Sequence, residues 1–342
     1  MDQTEKLRIY RAMVLLRAMD ERMLSLQRQG RIGFYGSAYG QEAATLASAG
    51  ALAAGDWIYP GLREASAMLL RGYPLVPWLA QLFGNQGDPT QGRQMPAHQA
   101  SRSVHHASWS SVIGTQIPQA VGAAYAAKLR GETTVVAAYF GDGATSSASF
   151  SQGLLFAKRL AAPVIFCCQN NQWSISLPLS RQTLQTDLYR KGEAFGIESQ
   201  QVDGNSIDAV YAATTAAAVR ARTGQGPCLI ELVTYRLGAH STSDDPTRYR
   251  DPKELAAWLA KDPIDRARRE LIAAGTWTEA QDVALREDSA AAIGVGIAEA
   301  EAFADPALET LFEDVYAEPS WLLAEQRMAL GAELAAAPRS RP

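Results

Sequence analysis

The sequence predicts an α/β fold in which a parallel sheet is flanked by helices, with helical extensions at both ends. Two observations carry this. The segments TTVVAAYF (Thr133–Phe140), PVIFCCQ (Pro163–Gln169) and CLIELVTYR (Cys228–Arg236) are near-continuous apolar runs of strand length. Strands of a parallel sheet are covered on both faces, so they lose the polar alternation of half-exposed strands. Helical patterns separate these runs, which is the alternation that builds a parallel sheet.

Taken in order, Leu7, Ile9, Met13, Leu16, Met23 and Leu26 recur at helical spacing, and Gly30 is placed to stop that helix. A second helical pattern covers about residues 40–54, and a third follows Arg63 through Gly72. Residues 84–111 are rich in Gly, Gln, Ser and His and lack any apolar period. A loop this long inside a globular domain points to function. Ile117–Arg130 and Ser149–Leu160 read as helices around the first apolar run, and residues 206–222 as a helix before the third. From Asp251 onward only helical patterns are visible. The chain is therefore read as one domain: an N-terminal helical arm over 1–35, an α/β core over 36–250 and a helical C-terminal region over 251–342.

With 342 residues, 47% of them hydrophobic and 20% charged, the composition is that of a globular protein with a sizeable core. A net charge of −4 with both signs interspersed gives no footprint for nucleic acid or an acidic membrane. The first residues are charged and lack the apolar core of a signal peptide. No run of about 18 apolar residues, the length a spanning helix needs, occurs. Cys167, Cys168 and Cys228 lie within apolar runs and form no C-x-x-C pair, so they read as small buried hydrophobes in a reducing cytoplasm.

The chemistry is concentrated at two strand ends. Gly141–Gly143 reads Gly-Asp-Gly directly after the first apolar run, and Asn170–Asn171 follows the second. A right-handed crossover brings both ends to the same edge of the sheet. Asp142 and Asn171 are thus expected to meet beyond the carboxyl ends of the strands, where open parallel sheets bind ligands. A carboxylate and an amide oxygen are hard donors suited to Mg²⁺ or Ca²⁺, which fill their shells with carbonyls, water and phosphates. Gly143 lets a phosphate approach, and a helix starting a few residues later offers free N–H groups. Asp-Gly alone is commonly a turn and Asn-Asn a loop start. It is their pairing on consecutive strands that points to a metal-bridged diphosphate. A zinc site is disfavoured by the lack of spaced Cys and His, and adjacent His105 and His106 cannot present both rings on one strand face.

Gly-Asp-Gly followed by Asn-Asn resembles the thiamine diphosphate motif. RQGRIGFY (Arg28–Tyr35), GRQMPAH (Gly92–His98), TQIPQAVGAAYAAK (Thr115–Lys128), QNNQWSIS (Gln169–Ser176) and YRLGAHSTSDDPTRYR (Tyr235–Arg250) resemble the α subunit of the heterotetrameric 2-oxo acid dehydrogenases, the E1 component. The resemblance implies the thiamine-diphosphate-binding fold. It implies that Asp142 and Asn171 ligate Mg²⁺, with the carbonyl of Trp173 as a third oxygen. Leu62, Gly143, Ala144 and Ile175 would line the cofactor, and Arg63 would bind its phosphates. His240 would contact the diphosphate, border the substrate channel and serve in catalysis. Ser111 and Ile113 would hold the aminopyrimidine end. Ser110, Val112, Thr115 and Gln116 match a monovalent-cation (K⁺) site of some members. Phe34, Tyr35, His98 and His105 would lie near the substrate or its channel.

The resemblance also implies decarboxylation of a 2-oxo acid and transfer of the acyl group to a lipoyl arm of an E2 acyltransferase. A β subunit would supply the glutamate that activates the cofactor, giving a heterotetramer of two α and two β chains. The segments look most like branched-chain members, then pyruvate-type enzymes, with acetoin dehydrogenase third. Ser241 matches a phosphoserine of animal homologues, whereas the other such position is Asp251. A structural role for that loop, ordered by Arg236, Asp244, Asp245 and Tyr249, is the favoured reading. Departures from the family are Leu62 for a frequent Tyr, Gln169 for Arg in some members, and Ser147-Ala148-Ser149 where many have Glu-Gly-Asp. The last of these puts local helix capping in question. Two other classes were weighed. A nicotinamide dehydrogenase fails because Ser146 stands at the third glycine position and no acidic residue ends the next strand. A non-catalytic scaffold is opposed by the intact Asp142, Asn171, Arg63 and His240.

Overall fold

The computed structural model describes residues 1–313 and 315–336, so residues 314 and 337–342 of the expected C-terminal region lie outside the described residues. Among the described residues seven strands are formed: β1 (Trp57–Tyr59), β2 (Val136–Gly141), β3 (Val164–Asn170), β4 (Trp173–Ser174), β5 (Leu177–Pro178), β6 (Glu198–Asp203) and β7 (Cys228–Val233). Five of them make a wholly parallel sheet in the order β1-β2-β3-β7-β6, and β4 and β5 pair as a small hairpin.

Along β2, side chains alternate between two buried faces, as the period of a strand requires. Val136, Ala138 and Phe140 join Val164, Phe166 and Cys168 beneath the helices Gln116–Leu129 and Ala148–Leu160. Ala137 and Tyr139 join Ile165, Cys167 and Ile230 on the other face. The helices Gln3–Arg28, Glu42–Gly50, Ile207–Arg222 and Pro263–Ala273 cover that face through Ile9, Ala43, Val210 and Ile264. A third cluster gathers Met19 and Met23 with Trp78, Leu79, Ile293 and Ile297. Each large apolar side chain so buried contributes about 1.5–3 kcal/mol.

Among the described residues, the strands β1, β4, β5 and β6 and the helices Leu75–Phe83, Leu179–Gln182 and Tyr189–Glu193 were not legible in the sequence. β6 reads ESQQVD and sits at the sheet edge, where its exposed face needs no apolar residues. β1 has only three residues. The helix Leu75–Phe83 carries Pro77 in its first turn, where the missing N–H costs nothing. The pattern expected over 63–72 shrinks to the turn Ala67–Leu70. The third apolar run leaves the sheet after Val233, as Thr234 donates back to the carbonyl of Asn170. Residues 84–111 are irregular apart from the 3-10 turn Arg102–Val104. Asp88 closes the first part of that loop by accepting from the N–H groups of Thr90 and Gly92. The three cysteines are buried, and burial pushes the Cys228 thiol up to about 11.

Candidate active site

Register puts Gly141 beside Gln169, and Asn170 beside Val233, so the carboxyl ends of β2, β3 and β7 finish level. A cavity of about 370 Å³ opens there. Its wall includes Gly141–Ala144, Asn171, Trp173–Ile175, Leu62–Glu64 and His240. A larger, more open cleft of about 890 Å³ lies near Trp258, Lys261 and Arg269. It holds none of the strand-end donors, so the chemistry is read from the smaller cavity.

Asp142 is buried, and its Oδ2 accepts from Gln182 Nε2 at 2.6 Å. Burial holds its carboxyl above the ordinary range, against the hydrogen bond from Gln182 and the charge of Arg236. Asn171 is held at both ends of its amide. Nδ2 donates to Gln41 Oε1 at 2.9 Å, and Oδ1 accepts from the N–H of Trp173 at 3.1 Å. The Trp173 carbonyl accepts from Arg236 Nη1 at 3.3 Å. Gly143 faces Ser174 so closely that a Cβ there would overlap its side chain.

Across the cavity the field is positive. Arg63 is buried, donating from Nη1 to the carbonyl of Ser37 and from Nη2 to the carbonyl of His240 at 2.9 Å. Arg236 donates to the Ile175 carbonyl at 2.6 Å and to Tyr249 Oη at 2.9 Å. Among the described residues the partners of both guanidiniums are thus neutral. Burial, then repulsion from Arg236, lowers Arg63 to about 10. Burial, then Arg63 and Arg236, lowers His240 to about 4, so its imidazole is neutral at physiological pH. Two buried guanidiniums without carboxylate partners, set near a buried carboxylate without a cation partner, fit a polyanion bridged by a metal.

The expected helix N-terminus differs in detail. A 3-10 turn, Asp142–Ser146, intervenes, and the helix Ala148–Leu160 begins only after it. Its first turn is capped by Ser147 Oγ, which accepts from the N–H of Phe150 at 3.2 Å, so the capping question raised by Ser147 and Ser149 is answered by Ser147 itself. The loop after His240 is ordered as expected: Asp244 Oδ2 accepts from the His240 N–H and from Tyr249 Oη, and Asp245 accepts from Thr247.

Leu62, Ser110, Ser111, Ile113, Gln116 and Phe34 line the cavity. Thr115 Oγ1 donates to the Val112 carbonyl at 2.8 Å, and Gln116 Nε2 donates to the Tyr139 carbonyl, leaving its Oε1 buried and unbonded. His98 stands one layer back. Its Nε2 meets Ser111 Oγ at 2.7 Å and its ring lies 4.0 Å from that of Trp109, which does line the cavity. Two expectations are corrected. Tyr35 turns into the core and donates to Asp20 Oδ1 at 2.8 Å. His105, in a left-handed conformation at φ +51°, packs edge-on to Trp57 and borders a separate cavity with Arg8 and Arg71. Gln41, Glu64, Met95, Trp109, Ser174 and Gln182 belong to the site but were not singled out. Only Trp109 carried a signal, as an aromatic inside the long polar loop.

The model of the family described as "Dehydrogenase E1 component" matches residues 10–309. The chain belongs to the dehydrogenase E1 component family. Among its relatives is the mouse protein named 2-oxoisovalerate dehydrogenase subunit alpha, mitochondrial, 43% identical over 97% of this chain and 75% of the relative. The human protein of the same name is 43% identical over 96% of this chain and 74% of the relative. An Arabidopsis thaliana protein, 2-oxoisovalerate dehydrogenase subunit alpha 1, mitochondrial, is 41% identical over 96% and 70%. The fold of this E1 chain, a parallel sheet between helical layers, accords with that membership.

Proposed function

We propose that this E1 chain is the α subunit of a thiamine-diphosphate-dependent dehydrogenase for branched-chain 2-oxo acids. The observation that carries the reading is that buried Asp142, without a cation partner, faces the cavity that Arg63 and His240 also line, with Arg236 bonded to the carbonyls of Trp173 and Ile175 in its wall. The names of the relatives support the substrate class. When bound, thiamine diphosphate supplies the carbanion and electron sink that the decarboxylation requires.

In this reading Asp142, Asn171 and the Trp173 carbonyl would hold Mg²⁺, and Arg63 and His240 would bind the diphosphate. Gly143 and Ala144 leave the backbone open to the phosphates, while Leu62, Ser111, Ile113 and Ile175 hold the rest of the cofactor. His240 is neutral, so it can hold a proton on one nitrogen and accept one on the other at the channel mouth. Phe34 and Trp109, the latter backed by the tilted His98 ring, would shield the cavity from water. Ser110, Val112, Thr115 and Gln116 would bind K⁺, for which the unbonded Gln116 Oε1 is the fitting donor.

A β subunit completes the site in this reading, in a heterotetramer of two α and two β chains that passes its acyl group to an E2 lipoyl arm. Apolar side chains exposed beside the cavity, Val112 and Ile113, with Leu155 and Phe156 on the helix Ala148–Leu160, support such a seat. Three buried free thiols fit a reducing compartment such as the cytoplasm. The test is CO₂ release by the chain co-expressed with a β partner, given 3-methyl-2-oxobutanoate or pyruvate. Preference for the branched acid is expected. Preference for pyruvate would overturn the substrate, and release from neither would overturn the function.

A further inference from the structure

Asp20 is remote from the cavity in sequence and lines none of it, yet it grips the segment that holds Arg63. It projects from the helix Gln3–Arg28 and is buried. Its two oxygens have separate tasks: Oδ1 accepts from Tyr35 Oη at 2.8 Å, and Oδ2 accepts from the N–H of Ala38 at 2.8 Å. The residues so clasped bracket Ser37, whose carbonyl receives Arg63 Nη1. The same short segment is pressed against Leu62, since a Cβ on Gly36 would lie 2.9 Å from Leu62 Cδ1.

The space between Asp20, Tyr35 and Arg63 amounts to about 10 Å³. That is room for one water at most, so the clasp cannot slacken by taking up solvent. With Ser37 fixed by Asp20 and the His240 carbonyl fixed by its own loop, the guanidinium fork is held by two carbonyls. Its direction is therefore set before any ligand arrives, which is how binding energy is kept from being spent on ordering a long side chain.

We propose that Asp20 is a positioning residue: through the Tyr35–Ala38 segment it aims the Arg63 guanidinium at the diphosphate subsite. This rests on the reading of the cavity as a thiamine diphosphate site. Asp20→Leu is of similar size but offers no acceptor, so both arms of the clasp are lost. Tyr35→Phe removes only the hydroxyl and leaves the Ala38 bond.

The test is calorimetric titration of the assembled α–β complex with thiamine diphosphate and Mg²⁺, run in wild-type and Arg63→Ala backgrounds. Asp20→Leu is expected to weaken binding about tenfold in the first background and less than about twofold in the second, because residues that act through one another do not add. Tyr35→Phe is expected to move in the same direction by less, and it carries the test if Asp20→Leu does not fold. Equal losses in both backgrounds would mean a general structural role and overturn the proposal. No loss in either would overturn it too. A wild-type complex that binds no thiamine diphosphate would instead refute the reading of the cavity on which it rests.

Discussion

Gln182 Nε2 donates to Asp142 Oδ2 at 2.6 Å, so the buried carboxylate at the end of β2 is met by a neutral amide and not by a cation. The partner amide oxygen, Gln182 Oε1, is buried without a hydrogen bond. Asp142→Asn should consequently fold as well as the wild type or better, since an amide costs less to bury than a carboxylate and can donate to that oxygen. Its melting temperature, read by circular dichroism, is expected to hold or rise while Mg²⁺-dependent cofactor binding falls by about a hundredfold or more. A clear loss of stability would show that Asp142 holds the fold rather than a ligand.

Among the groups that shape the pH dependence of stability, His240 and Glu64, which both line the cavity, pull in opposite directions. His240 falls from 6.5 to about 4 in the folded chain, through burial and then Arg63 and Arg236. The unfolded state takes up the proton first, so this contribution is present above 6.5 and is lost as pH falls toward 4. Glu64 rises to about 7, through burial above all. Its contribution is present below 4.5 and is lost as pH rises through 7. Urea midpoints measured across this window should flatten on the acid side in His240→Gln and on the neutral side in Glu64→Gln. Unchanged slopes in both variants would contradict the environments described.

His240 should also report the arrival of an anion. A diphosphate beside Arg63 and Arg236 offsets the repulsion that depresses the imidazole, so its pKa should move up on loading. Titration of the ring by NMR, with and without thiamine diphosphate and Mg²⁺, checks this. A pKa that stays near 4 would place the diphosphate elsewhere.

Ser147→Ala should cost about 1 kcal/mol by removing the cap of the helix Ala148–Leu160. Ser147→Asp should recover most of it, because a carboxylate accepts from the same N–H and favours the helix start. Denaturant midpoints of the two variants separate capping from a direct role in binding.

Gly40 adopts φ +90°, and a Cβ there would stand 2.5 Å from the Tyr235 carbonyl. It precedes Gln41, the residue that orients Asn171. Gly40→Ala is expected to cost more than about 2 kcal/mol and to lower cofactor affinity with it. Retained stability with unaltered affinity would show that Gln41 does not set the Asn171 amide.

The turns at the carboxyl ends of β2 and β3 were legible because β2 and β3 are buried on both faces, which writes them into the sequence as apolar runs. Asp142 and Asn171 follow directly from where those runs stop. The surrounding shell was not legible, because its members come from unrelated positions: Gln41 from before a helix, Gln182 from the end of a short one, Glu64 from a loop. Gln41 and Glu64 fall inside stretches read as helical, where a polar residue marks only a solvated face, and tertiary contact alone gives all three their meaning. Tyr35 shows the converse. Its place beside Phe34 suggested the cavity, but the segment turns there, sending Phe34 to the cavity and Tyr35 to Asp20. His105 misled in the same way, since its left-handed backbone carries the ring toward Trp57.

The most direct test of the account is titration of the reconstituted α–β complex with thiamine diphosphate, with Mg²⁺ and with the metal chelated. Saturable binding that requires the metal, and that weakens about a hundredfold or more in Asp142→Asn and measurably in Arg63→Ala while their folds persist, is the expected result. Binding indifferent to the metal and to both substitutions would contradict it.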